Sequence, residues 1–247
     1  MDSGFYAAST ALMARTATLD TIANNLANAS TVGFRAERDV FSSVLANAGT
    51  TSTSALDPVI NSYGIMSGTM SDVKQGALQK TGNPLDLAIE GPGYFTVQTA
   101  NGPMYTRDGG FQMSSGGQLV DGAGNAVLGD TGQPITLPPG VVTISPDGTI
   151  SSSGALAGKL KIVEFPPGTE LSNVGNTDFT PPPNVQPTAA TNSSVRQGSL
   201  ESSNVNPVSS MIQLVEAQRS AEMMQRALTM FNSEMDKTAS QDLPKVG

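Results

Sequence analysis

Asp86 and Glu90 are two carboxylates four residues apart, the pairing from which an acid and a base are often built. Both fall in or beside the run Leu85-Asp86-Leu87-Ala88-Ile89, whose character is that of a strand, so they would share one face at a sheet edge with no acid/base partner nearby. A structural or surface role suits them better. The run Gly122-Ala123-Gly124 is glycine-rich, but it stands between short strands with no helix after it, which makes it a hairpin turn and not a dinucleotide loop. Tyr105, Arg107 and Phe111 read as packing for the same region. The chain has no His, no Cys and no Trp. The usual general base near neutral pH is therefore missing, a structural zinc site is excluded, and no disulfide can form. No cofactor and no metal is expected, nothing points to an all-oxygen Mg or Ca site, and the composition argues against an enzyme.

The 247 residues suffice for one or two compact domains. Thirteen Lys and Arg against 21 Asp and Glu give a net charge of −8, which leaves no cation excess for phosphates and disfavours both nucleic acid and anionic membrane surfaces. No stretch reaches the roughly 18 apolar residues needed to span a bilayer. The start, Met1-Asp2-Ser3-Gly4-Phe5-Tyr6, has no basic head or apolar run, so no cleaved secretory signal is expected.

The elements that would position any functional residue fall into three regimes. Ser3 to Ala29 has helical periodicity: Phe5, Leu12, Leu19 and Leu26 recur every seven residues, with Ala8, Ile22 and Ala29 as companions and Arg15 breaking the seam. Thr31-Val32-Gly33 should stop it, a short amphipathic stretch follows from Arg35 to Leu45, and 46–63 is a Ser/Thr/Ala/Gly-rich linker. From 64 to 197 Gly and Pro are dense, and alternations such as Tyr94-Phe95-Thr96-Val97 and Lys159-Leu160-Lys161-Ile162-Val163 imply strands. Asp108-Gly109, Asp121-Gly122 and Asp147-Gly148 would be their turns, and Thr180-Pro181-Pro182-Pro183 a stiff surface connection. From Ser209 to about Lys237 the heptad returns, with Leu214, Ala221, Leu228 and Met235 on one seam and Ala217, Met224 and Phe231 on the other. Asn206-Pro207 suits a helix entry.

The expected fold is α+β: an all-β central domain of short strands, 64–197, flanked by N- and C-terminal heptad helices that pair with each other, 1–45 with 198–247. On pattern alone the pair is either a self-contained hairpin or leaves apolar surface for other subunits to cover. A secreted β-rich adhesin and a carbohydrate-active enzyme stand as the alternatives of other classes.

Three stretches resemble the flagellar basal-body rod protein family. They are Ile22-Ala23-Asn24-Asn25-Leu26-Ala27-Asn28-Ala29-Ser30-Thr31-Val32-Gly33-Phe34-Arg35, the pair Gly82 to Phe95 and Tyr105 to Phe111, and Gly198-Ser199-Leu200-Glu201-Ser202-Ser203-Asn204-Val205-Asn206 followed by Gln218-Arg219. They occur in the family's order and span nearly the whole chain. The resemblance implies a non-enzymatic axial subunit of the rod that crosses the periplasm, assembled with other rod proteins in a helical array. Both terminal helices would line the inner core, with the β-domain outside. It also implies uncleaved export by the flagellar type III apparatus. Within the family, the Met-Asp-x-Gly-x-Tyr start and Gly33-Phe34-Arg35 are most like members of the proximal rod; distal-rod and hook-type members come next. Ala221 stands where relatives usually carry an aromatic. The residues expected to carry assembly are Leu12, Leu19, Ile22, Leu26, Leu214, Met224, Leu228 and Phe231. Asn24, Asn25 and Asn28 are either a polar solvated face or amides that fix register between subunits. Phe41 with Leu45 fits the Phe-x-x-x-apolar pattern of export substrates; its alternative is one face of a short helix.

Overall fold

The computed structural model describes the backbone of residues 2–43, 64–175 and 177–242, and most side chains from 9 to 230 within them. A long helix, α1 (Asp2–Ala27), opens the chain and another, α2 (Pro207–Asp242), closes it, with short strands between. The α+β class with a β-rich centre is what the composition of the three regimes dictates. Ala and Leu, the strongest helix formers, fill α1, and Gly33 with φ +70° sits in the left-handed region soon after its end. Pro207 occupies the first helical position of α2, where a missing N–H costs nothing.

Two compact units divide the chain. The helical unit holds residues 1–26, 38–69 and 207–247; the β-rich unit holds 27–37 and 70–206. The segments 27–37 and 198–206, grouped with the helices on sequence grounds, thus pack with the strands. The amphipathic stretch after Arg35 is not helical but a strand, Glu37–Ser43, paired with Gly64–Ser71. Val40, Phe41 and the two serines pair as readily as they coil, and a partner strand settles the choice. The Thr21 hydroxyl of α1 donates to Asp39 of this strand at 2.6 Å.

In the β-rich unit the largest sheet runs, in spatial order, through strands 172–173, 178–180, 102–106, 94–99, 126–127, 119–120 and 112–113. Every pairing in it is antiparallel, and Leu87, Phe95, Val97, Phe111, Leu119, Val127 and Ile150 fill the core beneath at no more than 1 % exposure. A second cluster joins Tyr94, Tyr105, Phe165 and Phe179 through edge-to-face rings 5.0–5.7 Å apart. Asp121-Gly122 and Asp147-Gly148 are hairpin turns as their chemistry predicts, the Asp121 carboxylate accepting from the Ala123 and Asn125 amides. Asp108-Gly109 is not one: its Gly109 carbonyl instead accepts from Leu87 N–H, and Asp86 bridges Gly110. The run from Lys159 to Val163 is two strands, Ala155–Lys159 and Ile162–Glu164.

Candidate assembly site

Both helices of the helical unit show their faces through burial. On α2, Ser210, Ala217 and Ala221 are covered and Leu214, Met224 and Leu228 half-covered, which is one unbroken heptad seam. On the opposite side of the same helix Met211, Ile212, Val215, Met223 and Met230 are 47–67 % exposed. Helical geometry sets these two stripes about half a turn apart. So α2 carries two apolar faces.

On α1, Leu12, Leu19, Ile22 and Leu26 are all half-buried. Ala11, Ala14, Arg15 and Thr18 of α1 line, with Met224 of α2, a cavity of about 280 Å³. Arg15, the break in the leucine seam, borders this cavity with its side chain largely in solvent. Of the three signature amides, Asn24 is exposed, Asn25 buried, and Asn28 half-buried, accepting from the Thr31 hydroxyl at 3.2 Å. Phe41 lies on the strand 37–43, while its side chain, that of Phe231, and Leu45 altogether fall outside what the structure describes.

The β-rich unit holds a site that the sequence did not announce. Glu201 is 1 % exposed, and its carboxylate binds two arginines at once. Oε1 accepts from Arg35 Nη2 at 3.1 Å and from the Gly76 amide at 3.0 Å; Oε2 accepts from Arg107 Nη1 at 3.1 Å. Arg35 and Arg107 are themselves 1 % and 2 % exposed. Two cations face one anion, and backbone carbonyls offset the excess. Arg35 donates to the carbonyls of Val73 and Lys74, the latter at 2.8 Å, and Arg107 donates to that of Gly91 at 2.7 Å. The Tyr94 ring lies 4.7 Å from the Arg107 guanidinium carbon, a cation–π contact. Burial and the neighbouring Arg35 lower the Arg107 pKa from its ordinary value, and the Glu201 carboxylate opposes that shift.

Around this triad the segments 33–36 and 201–204 are joined to each other and to 72–74. Gly33 N–H donates to the Glu201 carbonyl at 2.8 Å. Asn204 accepts from Ala36 N–H at 2.7 Å and donates to the carbonyls of Asp72 and Lys74 at 3.2 and 2.9 Å. Any Cβ at Gly33 would stand 2.3 Å from the Asp108 amide nitrogen, so only glycine fits. Arg107, placed by sequence among the packing residues, does pack on Tyr94, and it also completes the ion cluster.

Beside the triad, Asp108, Asp121 and Asp178 line one cavity of about 350 Å³ with Thr31 and Thr106. Burial, then the Asp121 and Asp108 carboxylates, push Asp178 up to about 6; Asp108 is raised too, chiefly by burial. No group of three His, Cys, Asp or Glu among the described residues is arranged to hold a metal ion. Asp86 and Glu90 take surface roles: Asp86 accepts from Asn83, and Glu90 meets Arg196 at 2.9 Å with both side chains more than half exposed.

Comparison with known proteins covers these same regions. Residues 5–35 match the family described as "Flagella basal body rod protein", residues 88–152 the "Flagellar hook protein FlgE/F/G D1 domain", and residues 196–242 the "Flagellar basal body rod FlgEFG protein C-terminal". The chain is 36 % identical to a flagellar basal-body rod protein FlgF of Mesorhizobium japonicum, over 90 % of each chain. It is 34 % identical to FlgF of Caulobacter vibrioides over 100 % of each. With FlgG of Bacillus subtilis the identity is 32 %, over 85 % of this chain and 88 % of that one. Arg35, Glu201 and Asn204 lie inside matched stretches at the two ends, and Arg107 inside the central one.

Proposed function

Since the chain belongs to the flagellar basal-body rod protein family, we propose that it is a structural subunit of the rod that packs against other rod subunits through α1 and α2. The observation that carries this reading is the double face of α2. One stripe is covered within the chain, and the opposite stripe of Met211, Ile212, Val215, Met223 and Met230 is left in solvent. Covering one such aliphatic side chain contributes about 1.5–3 kcal/mol, so a few per helix drive association once the ordering cost is met. The half-buried Leu12, Leu19, Ile22 and Leu26 add a flank on α1, with Asn24 exposed among them. A FlgF-type position in the proximal rod fits the chain best, with a FlgG-type distal position second.

The subunit works without catalysis, in the periplasmic part of the basal body, and reaches it through the flagellum's own type III export apparatus without cleavage. Phe41 and Leu45 would be read at the export gate before folding, since Phe41 lies on a strand in the folded chain. The charge of −8 disfavours nucleic acid, and no helix of the described residues is long and apolar enough to cross a membrane. Leu19→Asp and Leu228→Asp test the reading in cells whose only copy is the variant. Rods should stop short and swimming cease, while the purified variants keep the β-rich circular dichroism of the parent. Normal swimming with either variant would show that the helices do not carry assembly.

A further inference from the structure

Besides the large sheet, the β-rich unit holds a three-stranded one in the order Val142–Ile144, Thr149–Ser152, Ala155–Lys159. Its two outer strands are edges, and an edge offers N–H and carbonyl groups to any extended chain that comes alongside. At 155–159 the backbone itself blunts the edge. A bulge opposite Ile150 and Ser151 leaves Ala157 without a counterpart, and Asp130 N–H caps the Lys159 carbonyl at 2.9 Å. At 142–144 the pairing is regular, Val142 with Ser152, Thr143 with Ser151 and Ile144 with Ile150, so no bulge interrupts that edge. Val141-Val142-Thr143-Ile144 is four β-branched residues in a row with no charge, proline or glycine among them. Val141 is 76 % exposed. Such a run pairs readily with another copy of itself.

We propose that the Gln197 side chain closes this edge by standing in for a strand, and so keeps a second copy of the chain from pairing there. Its Oε1 accepts from Ile144 N–H at 3.1 Å, and its Nε2 donates to the Val142 carbonyl at 3.0 Å. Those two groups, on either side of Thr143, are the ones an added strand would take up. A glutamine amide can replace that strand because it carries both a donor and an acceptor, as a peptide group does. Its remaining donor goes to the Pro84 carbonyl at 2.9 Å, which fixes the plane of the amide. The backbone that carries Gln197 is itself held on two sides. The strand Ser194–Gln197 pairs with Leu87–Glu90, and Val195 N–H donates to the Pro146 carbonyl at 2.8 Å. Beyond that bond the strands 194–197 and 142–144 do not pair, and the Gln197 side chain spans the gap. A side chain kept for packing alone has no need of a donor and an acceptor placed two residues apart along a neighbouring strand. The role lies within the β-rich unit and holds whether or not the chain builds a rod.

Gln197→Met tests this, since it keeps the length of the side chain and removes both donor and acceptor. It is made in the full chain carrying Ile212→Asp, so that association through the outer stripe of α2 does not enter, and circular dichroism checks that the β-rich unit is folded. Sedimentation velocity and thioflavin fluorescence should show at least tenfold more association than in the same chain with Gln197. Thr143 is exposed on the edge strand. Adding Thr143→Lys should return the chain to the monomer, because like charges then meet across the paired edges. Should Gln197→Met fail to fold, Gln197→Glu keeps the acceptor for Ile144 and loses both donors, and it should give a smaller rise that Thr143→Lys also reverses. A folded Gln197→Met that stays as monomeric as its parent overturns the proposal. So does association that Thr143→Lys leaves unchanged, because the chains would then be meeting elsewhere.

Discussion

At the heart of the β-rich unit a charge is closed in on every side; along the helical unit an apolar stripe is left open. Glu201 has two arginines and a backbone amide on its carboxylate, and it is 1 % exposed. On α2, Met211, Ile212 and Met223 are each more than half exposed although their chemistry favours burial. The first arrangement specifies a unique geometry inside one chain, since a buried ion that loses its partner is heavily penalised. The second is non-directional and unfinished, which suits a surface completed by other chains. Specificity is thus stored where water is excluded, and association energy where it is not.

Three substitutions would break or sharpen this contrast in the isolated chain, and they differ in size. Glu201→Ala leaves Arg35 and Arg107 buried without their anion and should cost about 3–5 kcal/mol in urea unfolding followed by circular dichroism. A loss below about 1 kcal/mol would mean that the backbone carbonyls alone hold the arginines. Asp178→Asn should act in the other direction. Its folded pKa of about 6 lies above the ordinary 3.8, so the folded state binds the extra proton across that window. Stability contributed by protonated Asp178 is present below the lower value and is lost as pH rises through the upper one. Asparagine should therefore raise stability at pH 7–8 by about 1 kcal/mol after solvent screening of a half-buried group. It should also flatten the pH dependence between about 4 and 6, and an unchanged slope would remove Asp178 from the account. Ile212→Asp should be smallest, within about 0.5 kcal/mol, because Ile212 is 57 % exposed. A large loss there would show that the outer stripe of α2 serves the single chain.

Much of this was legible from local pattern, and what was not had a physical reason. Both helices follow from heptads that α1 and α2 carry by themselves, and the Asp121 and Asp147 turns follow from side chains bonding amides two residues on. The strand 37–43 was hidden because its pairing with Gly64–Ser71 is not a local property. Asp108-Gly109 has the letters of a hairpin turn, but its carbonyl is taken by Leu87, in another part of the chain. The triad was hidden most deeply, since Arg35 and Glu201 are 166 residues apart and Arg107 and Glu201 are 94 apart. Two of its members do stand beside constrained glycines: Arg35 follows Gly33 by two residues and Arg107 precedes Gly109 by two, and a Cβ at either glycine would meet backbone at 2.3 or 1.7 Å. The residues that line a cavity with Met224 stand out less in the sequence, because Leu12, Leu19 and Leu26 are more apolar than Ala11, Ala14 and Thr18.

The central claim, that the terminal helices are buried by neighbouring subunits, is tested most directly by oxidising methionine in the free subunit and in isolated rods. Met13 of α1 and Met211, Met223 and Met230 of α2 are 55–73 % exposed in the chain, and Met113 on the β-rich unit, at 53 %, reports oxidant access there. In the free subunit all five should convert readily to the sulfoxide under mild peroxide. In rods, peptide mass spectrometry should find the three α2 methionines protected at least tenfold, with Met13 following if its face is also covered. Oxidation of Met211, Met223 and Met230 at the free-subunit rate within intact rods would contradict the account.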